Sequence, residues 1–326
     1  ATSAMSSLAS MLYKHFNKQV YILIDEYDVP LAKAQEHGYH KDMVTLMSSF
    51  LGFLKDPQRD PEKDTSIISK VVITGCLKVA KNSLFTGVNN FKVNTVLATN
   101  KDLTGIIGFT KDETYKFLKD YELENFSEKV KEHYDGYKFC DKEMFCPWDV
   151  VNFIDENYKN NLNGETDSIR TNNYWLGTTS DKSLYDYLGY LTDSDNKKMQ
   201  DLVDGKSISF KLNESMNYDT LSEHNSNDFW SLLLHTGYLT VDWEKTDEAE
   251  FSKDGKTNKE VFARIPNLEI LGCFNNNIKE RFSNVVKKDN LALNIANALL
   301  EGNVDFVQNK LGPLLRSFVS VNTVLR

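Results

Sequence analysis

The sequence predicts an α/β fold, a parallel sheet followed by a mainly helical domain, and three observations carry this expectation. Two short apolar runs rich in β-branched residues, Val20–Ile24 and Ile67–Ile73, are separated by stretches of helical period. Beyond Thr110 the apolar residues recur mostly three and four positions apart. Apolar residues make up 40% and charged residues 26% of the 326 positions, the balance of a chain that builds a core rather than staying disordered.

Residues 5–18 read as an amphipathic helix, with Met5, Leu8, Met11, Leu12 and Phe16 on the apolar side. The run Val20–Ile24 suits a strand buried on both faces, as in a parallel sheet, and it stops at Asp25-Glu26-Tyr27-Asp28. Residues 42–55 are helical by period, and 56–65, with Pro57 and Pro61 among charges, form a loop. Ile67–Ile73 is a second buried strand ending at Thr74-Gly75, and a third is expected near Phe91–Leu97. Thr110-Lys-Asp-Glu113 is a capping box opening a helix. His133–Lys138 is a turn, Pro147-Trp148 starts another helix, and the polar residues 159–172 form a loop. A short β element is expected at 202–212. A helix at Phe229–Leu234 should stop at Gly237, with Val261–Ile265 as a strand returning from a surface loop. Helical periods dominate from Glu269 onward.

The formal charge of −9 argues against a chain whose whole surface binds nucleic acid. Four cysteines form no C-x-x-C pair and six histidines no H-E-x-x-H, so a structural zinc site is not expected. No apolar stretch approaches the roughly 20 residues of a membrane span. Ala1–Met5 lacks the features of a signal peptide, so no membrane association and a cytoplasmic location are the expectation.

An apolar run ending in Asp25-Glu26 has the form of a Walker B motif. A central strand delivers carboxylates to the edge of a parallel sheet where nucleotide phosphates sit. Asp25 would hold Mg²⁺, a hard cation that wants oxygen ligands, and Glu26 would act as the catalytic base on water. The bland alternative is a strand leaving the core through two solvated acids. Thr74, ending the second strand, is either a γ-phosphate sensor or a turn-forming hydroxyl.

The segment Leu23-Ile-Asp-Glu-Tyr-Asp-Val-Pro-Leu31 resembles the LIDEYDxP segment of the AAA-ATPase-like family, which commonly precedes a PD-(D/E)XK nuclease-like domain. Further blocks follow in that family's order: Thr74–Asn90, Gly108-Phe109-Thr110 with Glu113, Tyr134-Asp-Gly-Tyr137, Pro147-Trp148, Tyr174-Trp175, Thr236–Thr240 and Ile265–Glu269. The resemblance spans roughly residues 8–316. It implies a partial P-loop-ATPase-type domain over 1–115, a mainly helical domain with a small β element over 116–270, and a helical lead-in to a nuclease-like domain over 271–326. Mg²⁺ and ATP are the cofactors it implies for the parent protein. Lys78 stands where the family has Arg; it either faces phosphate without the bidentate fork or is a surface cation. Asn89 and Asn90 either contact nucleotide or make a turn.

The family's Walker A loop lies well upstream of its LIDEYD segment, and only about two dozen residues precede Asp25 here. Gly205-Lys206-Ser207 and Gly255-Lys256-Thr257 lack the earlier glycine of a P-loop; Gln200 and Glu250 stand there. No phosphate loop is therefore expected in the chain, which reads as a fragment without ATP turnover or tight cofactor binding of its own. Asp195-Asn196-Lys197 sits in a polar run with no strand pattern, so no nuclease site is expected either. The partners implied are a P-loop segment or another protein domain, with nucleic acid only through a nuclease-like domain. The tryptophans are expected in cores, and Cys140 and Cys146 as free thiols. Two function classes remain: part of an ATPase used as a regulatory switch, or a non-catalytic interaction or scaffold module.

Overall fold

A computed structural model describes residues 4–54, 59–60, 62–77, 92, 94–95, 97, 104–139, 141–174, 195–214, 225–247, 251, 259–287 and 291–317. The chain divides into two compact units, Ala1–Thr95 with Asn213–Asp228, and Val96–Leu212 with Phe229–Arg326.

In the first unit α1 (Ala4–Phe16) leads into β1 (Val20–Ile24), followed by α2 (Val29–Glu36) and α3 (His40–Leu51). Two short strands, β2 (Arg59–Asp60) and β3 (Thr65–Ser66), pair antiparallel before β4 (Ile68–Ile73). β1 and β4 pair parallel, with Ile22 opposite Val71 and Ile24 opposite Ile73. Two apolar runs with helices between them can reach this pairing only through a crossover connection. Tyr27 and Leu31 form one core with Ile24, Ile73, Met43 and Met47, and Ala9, Tyr13 and Ile67 form another.

Two expectations are corrected here. β1 is buried on one face only: Ile22 is 6% exposed, but Tyr21 is 63% and Leu23 75% exposed. The helices that cover the sheet lie on the Ile22 side, so the strand's unbroken apolar run did not reveal which face is covered. In α1 the buried positions are Ala9 and Tyr13, whereas Leu8, Met11, Leu12 and Phe16 are exposed. Ala9 is small enough for close approach to the sheet, and the Tyr13 hydroxyl donates to Asp60 Oδ2 at 2.8 Å. The third strand expected at 91–97 lies mostly outside the described residues, and none of Lys92, Asn94, Thr95 and Leu97 is in a strand.

Among its described residues the second unit holds two three-stranded antiparallel sheets, of which the sequence indicated the one containing 208–212 and 259–264 and not the other. β5 (Phe109–Thr110), β6 (Tyr137–Phe139) and β7 (Lys142–Phe145) pair in the order β5-β7-β6. β8 (Ile208–Leu212), β9 (Thr240–Val241) and β10 (Lys259–Arg264) pair in the order β8-β10-β9. β5, β6 and β7, two to four residues long, leave too few positions for a period of two to register. The helices are α4 (Lys111–Asp120), α5 (Ser127–Tyr134), α6 (Pro147–Leu162), α7 (Asn196–Val203), α8 (Ser226–His235), α9 (Leu268–Lys287), α10 (Leu291–Leu300) and α11 (Val304–Ser317). α6 runs into the polar stretch expected to be a loop.

Thr110 caps α4 through the expected reciprocal box with Glu113, and those hydrogen bonds hold the Glu113 carboxyl below the usual carboxylate range. One core gathers around Phe229, Trp230 and Phe274, another around Tyr134, Phe145 and Phe153. Trp230 is fully buried and its indole N–H donates to Asp195 Oδ1 at 3.0 Å. Asp195 thus serves the core at the start of α7, and Gly205-Lys206 forms a turn ahead of β8. Trp148 departs from the expectation of burial: it is 58% exposed on the first turn of α6. Trp175 and Cys140 lie outside the described residues.

Candidate functional site

β1 and β4 end side by side, because parallel strands share one carboxyl edge. The ladder continues one step beyond both: Thr74 N–H donates to Ile24 O at 2.9 Å, and Tyr27 N–H to Thr74 O at 3.1 Å. This brings together three residues singled out in the sequence. The Thr74 hydroxyl donates to Asp25 Oδ1, and the Glu26 N–H donates to the same oxygen at 3.0 Å. Asp25, Glu26 and Thr74 are all exposed. Glu26 has φ +52°, a left-handed backbone that a side-chain-bearing residue adopts at a cost of roughly 1–3 kcal/mol. Lys78, Asn89 and Asn90 lie outside the described residues.

The next two residues are the ones sequence reasoning passed over. Asp28 is 2% exposed, and its carboxylate accepts from the N–H groups of Cys76, at 3.1 Å, and Leu77, at 2.9 Å. It occupies the N-cap position of α2 yet makes no cap bond there; its oxygens serve the chain leaving β4 instead. The Tyr27 hydroxyl donates to Leu77 O. Gly75 lies under both side chains: a Cβ there would come within 2.5 Å of Asp28 Oδ1 and 2.6 Å of the Tyr27 ring. Tyr27 and Asp28 therefore fasten the β4 exit to the β1 exit, while Asp25 and Glu26 stay open to solvent. No local signal in the sequence set Asp28 apart from Asp25 and Glu26.

Cys76 borders this cluster. Packing of the chain around it, and then the carboxylates of Asp28, Glu26 and Asp25, push its thiol above the ordinary range even though the side chain reaches solvent. The site is electronegative and holds its cysteine as the neutral thiol at pH 7.

Among the described residues no group of three or more His, Cys, Asp or Glu could hold a metal ion by itself. One carboxylate oriented by a threonine hydroxyl at a sheet edge still fits magnesium, which keeps most of its waters and takes one or two protein carboxylates plus phosphate oxygens. The donor set therefore fits a metal–phosphate complex and not a protein-only metal cage. No helix among the described residues is long and apolar enough to cross a membrane.

Comparison with curated proteins gives no match, and neither does comparison with solved structures. Residues 1–85 match the family model described as a predicted AAA-ATPase, AAA-ATPase-like. The first 85 of the 326 residues, which carry Asp25, Glu26, Asp28 and Thr74, are therefore similar to that family.

Proposed function

We propose that the first unit is the Walker B and sensor portion of an ATPase used as a regulatory switch. The observation that carries this reading is the hydrogen bond from Thr74 to Asp25 across the carboxyl edge of a parallel strand pair. Asp25 would hold Mg²⁺ through its carboxylate, directly or through water. Magnesium-bound ATP, when present, supplies the phosphoryl group and the charge to be neutralised. Glu26 orients a water and accepts its proton, Thr74 fixes the Asp25 rotamer, and the Tyr27–Asp28 fastening holds the two strand ends in register. The left-handed backbone at Glu26 supports a functional role, since strain of this kind collects at active sites.

The 326 residues contain no G-x-x-x-x-G-K-S/T, so the phosphate cradle would come from a preceding segment or a separate domain. The bare side of β1, with Tyr21 and Leu23 exposed, supports such a covering element, because parallel sheets are normally covered on both faces. In this reading the 326 residues alone do not turn over ATP. With a cradle, ATP binding would regulate an appended domain, and nucleic acid would be reached only through a nuclease-like one. A second reading, a scaffold without catalysis, is favoured by the exposed apolar side of α1.

Phosphate release by the protein carrying its natural upstream residues, measured beside the 326-residue chain, tests this reading. Turnover is expected in the longer protein only, reduced at least 100-fold by Glu26→Gln with ATP still bound. Release from the 326-residue chain that Glu26→Gln abolishes would overturn its predicted inactivity. Absence of Mg-ATP binding below about 100 μM, roughly −5.5 kcal/mol, in the longer protein would favour the scaffold.

A further inference from the structure

The second unit contains a cavity of about 480 Å³ bordered by the β5-β7-β6 sheet and by the turn joining α8 to β9. Its wall is mostly apolar, with Ile107, Met144 and Leu239 among the lining residues, and Lys138, Asp149 and His235 interrupt it with Thr240 and Asn267. Met144 and Leu239 are almost fully buried, whereas Ile107 is 70% exposed and stands at the open side. The space opens to solvent beside Ile107, so it is a crevice that a ligand could enter from outside. Its volume and lining fall within the range of small-molecule sites, ≈ 300–1,000 Å³ and predominantly apolar.

The wall is assembled from the sequence blocks that the phosphate-edge reading leaves unused. Gly108, Tyr137, Pro147, Gly237 and Asn267 each come from a different block, and all five line the cavity. Part of their role is to frame it. The Tyr137 hydroxyl donates to Gly237 O at 2.8 Å, and Asn267 Nδ2 donates to Asp135 O at 2.8 Å. Those bonds fix the wall positions and leave the space between them open, which makes the site preorganised.

The chemistry of the wall selects the occupant. Asp149 is 2% exposed in the first turn of α6. Lys138 and Asp149 put one basic and one acidic group on the same wall, so the wall favours neither sign of ligand charge, and any charge would lose its hydration on entering a mostly apolar chamber. We propose that the cavity binds an uncharged, mainly apolar small molecule of aromatic or alicyclic type carrying one or two hydrogen-bonding groups. Nothing in this proposal depends on nucleotide binding in the first unit.

Fluorescence titration of the full chain with N-phenyl-1-naphthylamine, an uncharged bicyclic probe, tests it. Saturable binding of one probe per chain is expected. Ile107→Asp, which sets a charge at the mouth, and Ile107→Trp, which narrows it, should each weaken binding at least tenfold. Leu300→Asp, at an 87% exposed position remote in sequence from the wall, should leave it unchanged. The anionic relative 8-anilinonaphthalene-1-sulfonate should bind at least tenfold more weakly. Lack of saturable binding, more than one probe per chain, equal affinity in the Ile107 and Leu300 variants, or equal affinity for the anionic dye would each overturn the proposal. Circular dichroism establishes that each variant is folded, and either Ile107 substitution suffices for the comparison.

Discussion

Asp135 and Asp28 are both buried aspartates at the ends of regular elements, and their surroundings treat the charge differently. Asp28 accepts the N–H groups of Cys76 and Leu77. Asp135 is 6% exposed, its Oδ1 has no hydrogen-bond partner among the described residues, and burial, with Glu143 adding to it, raises its carboxyl above the ordinary 3.8. A folded-state value above the unfolded one means that the native protein binds the extra proton in that window. The contribution is therefore fully present below pH 3.8 and is lost as pH rises through the folded value. Asp135→Asn is expected to raise the melting temperature at pH 7, with the gap to the native protein closing as pH falls toward 3.8. Thermal melts of both proteins from pH 7 to pH 4 check this, and a gap that widens on acidification would count against it. Neither aspartate could be told from its neighbours by local sequence. Asp25 and Glu26 were legible because an apolar strand ending in acids is a pattern within a few residues. The Asp28 carboxylate bonds to backbone 48 and 49 positions away, and no local period encodes that contact.

At the scale of elements, α1 shows how a correct period can come with the wrong face. The spacing of Met5, Leu8, Met11, Leu12 and Phe16 located the helix to within two residues at its C-terminal end. The stripe that packs is Ala9 and Tyr13 instead, because a small residue and an aromatic with a polar tip suit this close contact better than the bulkier apolar positions do. Leu8→Lys with Met11→Lys is accordingly expected to change stability by no more than about 0.5 kcal/mol per site, whereas Ala9→Leu should cost about 1–3 kcal/mol through overpacking. Urea unfolding of the two variants decides between the faces. If the lysine pair were the more damaging change, the packed stripe would have been misassigned. β1 follows the same lesson: its apolar run fixed the strand, but the exposure of Tyr21 and Leu23 depends on which neighbours the chain supplies.

For the molecule as a whole, the two units differ in how much of their organisation could be read from sequence. The parallel pair of the first unit follows from two apolar runs and the helices between them. The described residues of the second unit are mainly helical; the sheet that the sequence did not indicate has strands of two to four residues, and its β5 meets β7 only through Phe109 opposite Phe145 and Thr110 opposite Met144. The turns there meet backbone to backbone. Gly136 has φ +110°, and a Cβ on it would stand 2.1 Å from the carbonyl oxygen of Pro266. Gly136→Ala is expected to cost more than about 2 kcal/mol, since both the left-handed backbone and the contact oppose a side chain and the contacted atom is main chain. Chemical denaturation would show this as a lower midpoint with an unchanged slope, and a midpoint equal to the native one would exclude the contact.

That same apposition sets a timetable for the nascent polypeptide. A loop that must receive Pro266 and Asn267 against Gly136 and Asp135 stays open on the ribosome until some 130 further residues have been translated, so the two halves of this interface wait for each other during synthesis. A translation product ending before Pro266 would leave the chaperones an unsealed Tyr134–Tyr137 corner, with the apolar wall beside it exposed to water.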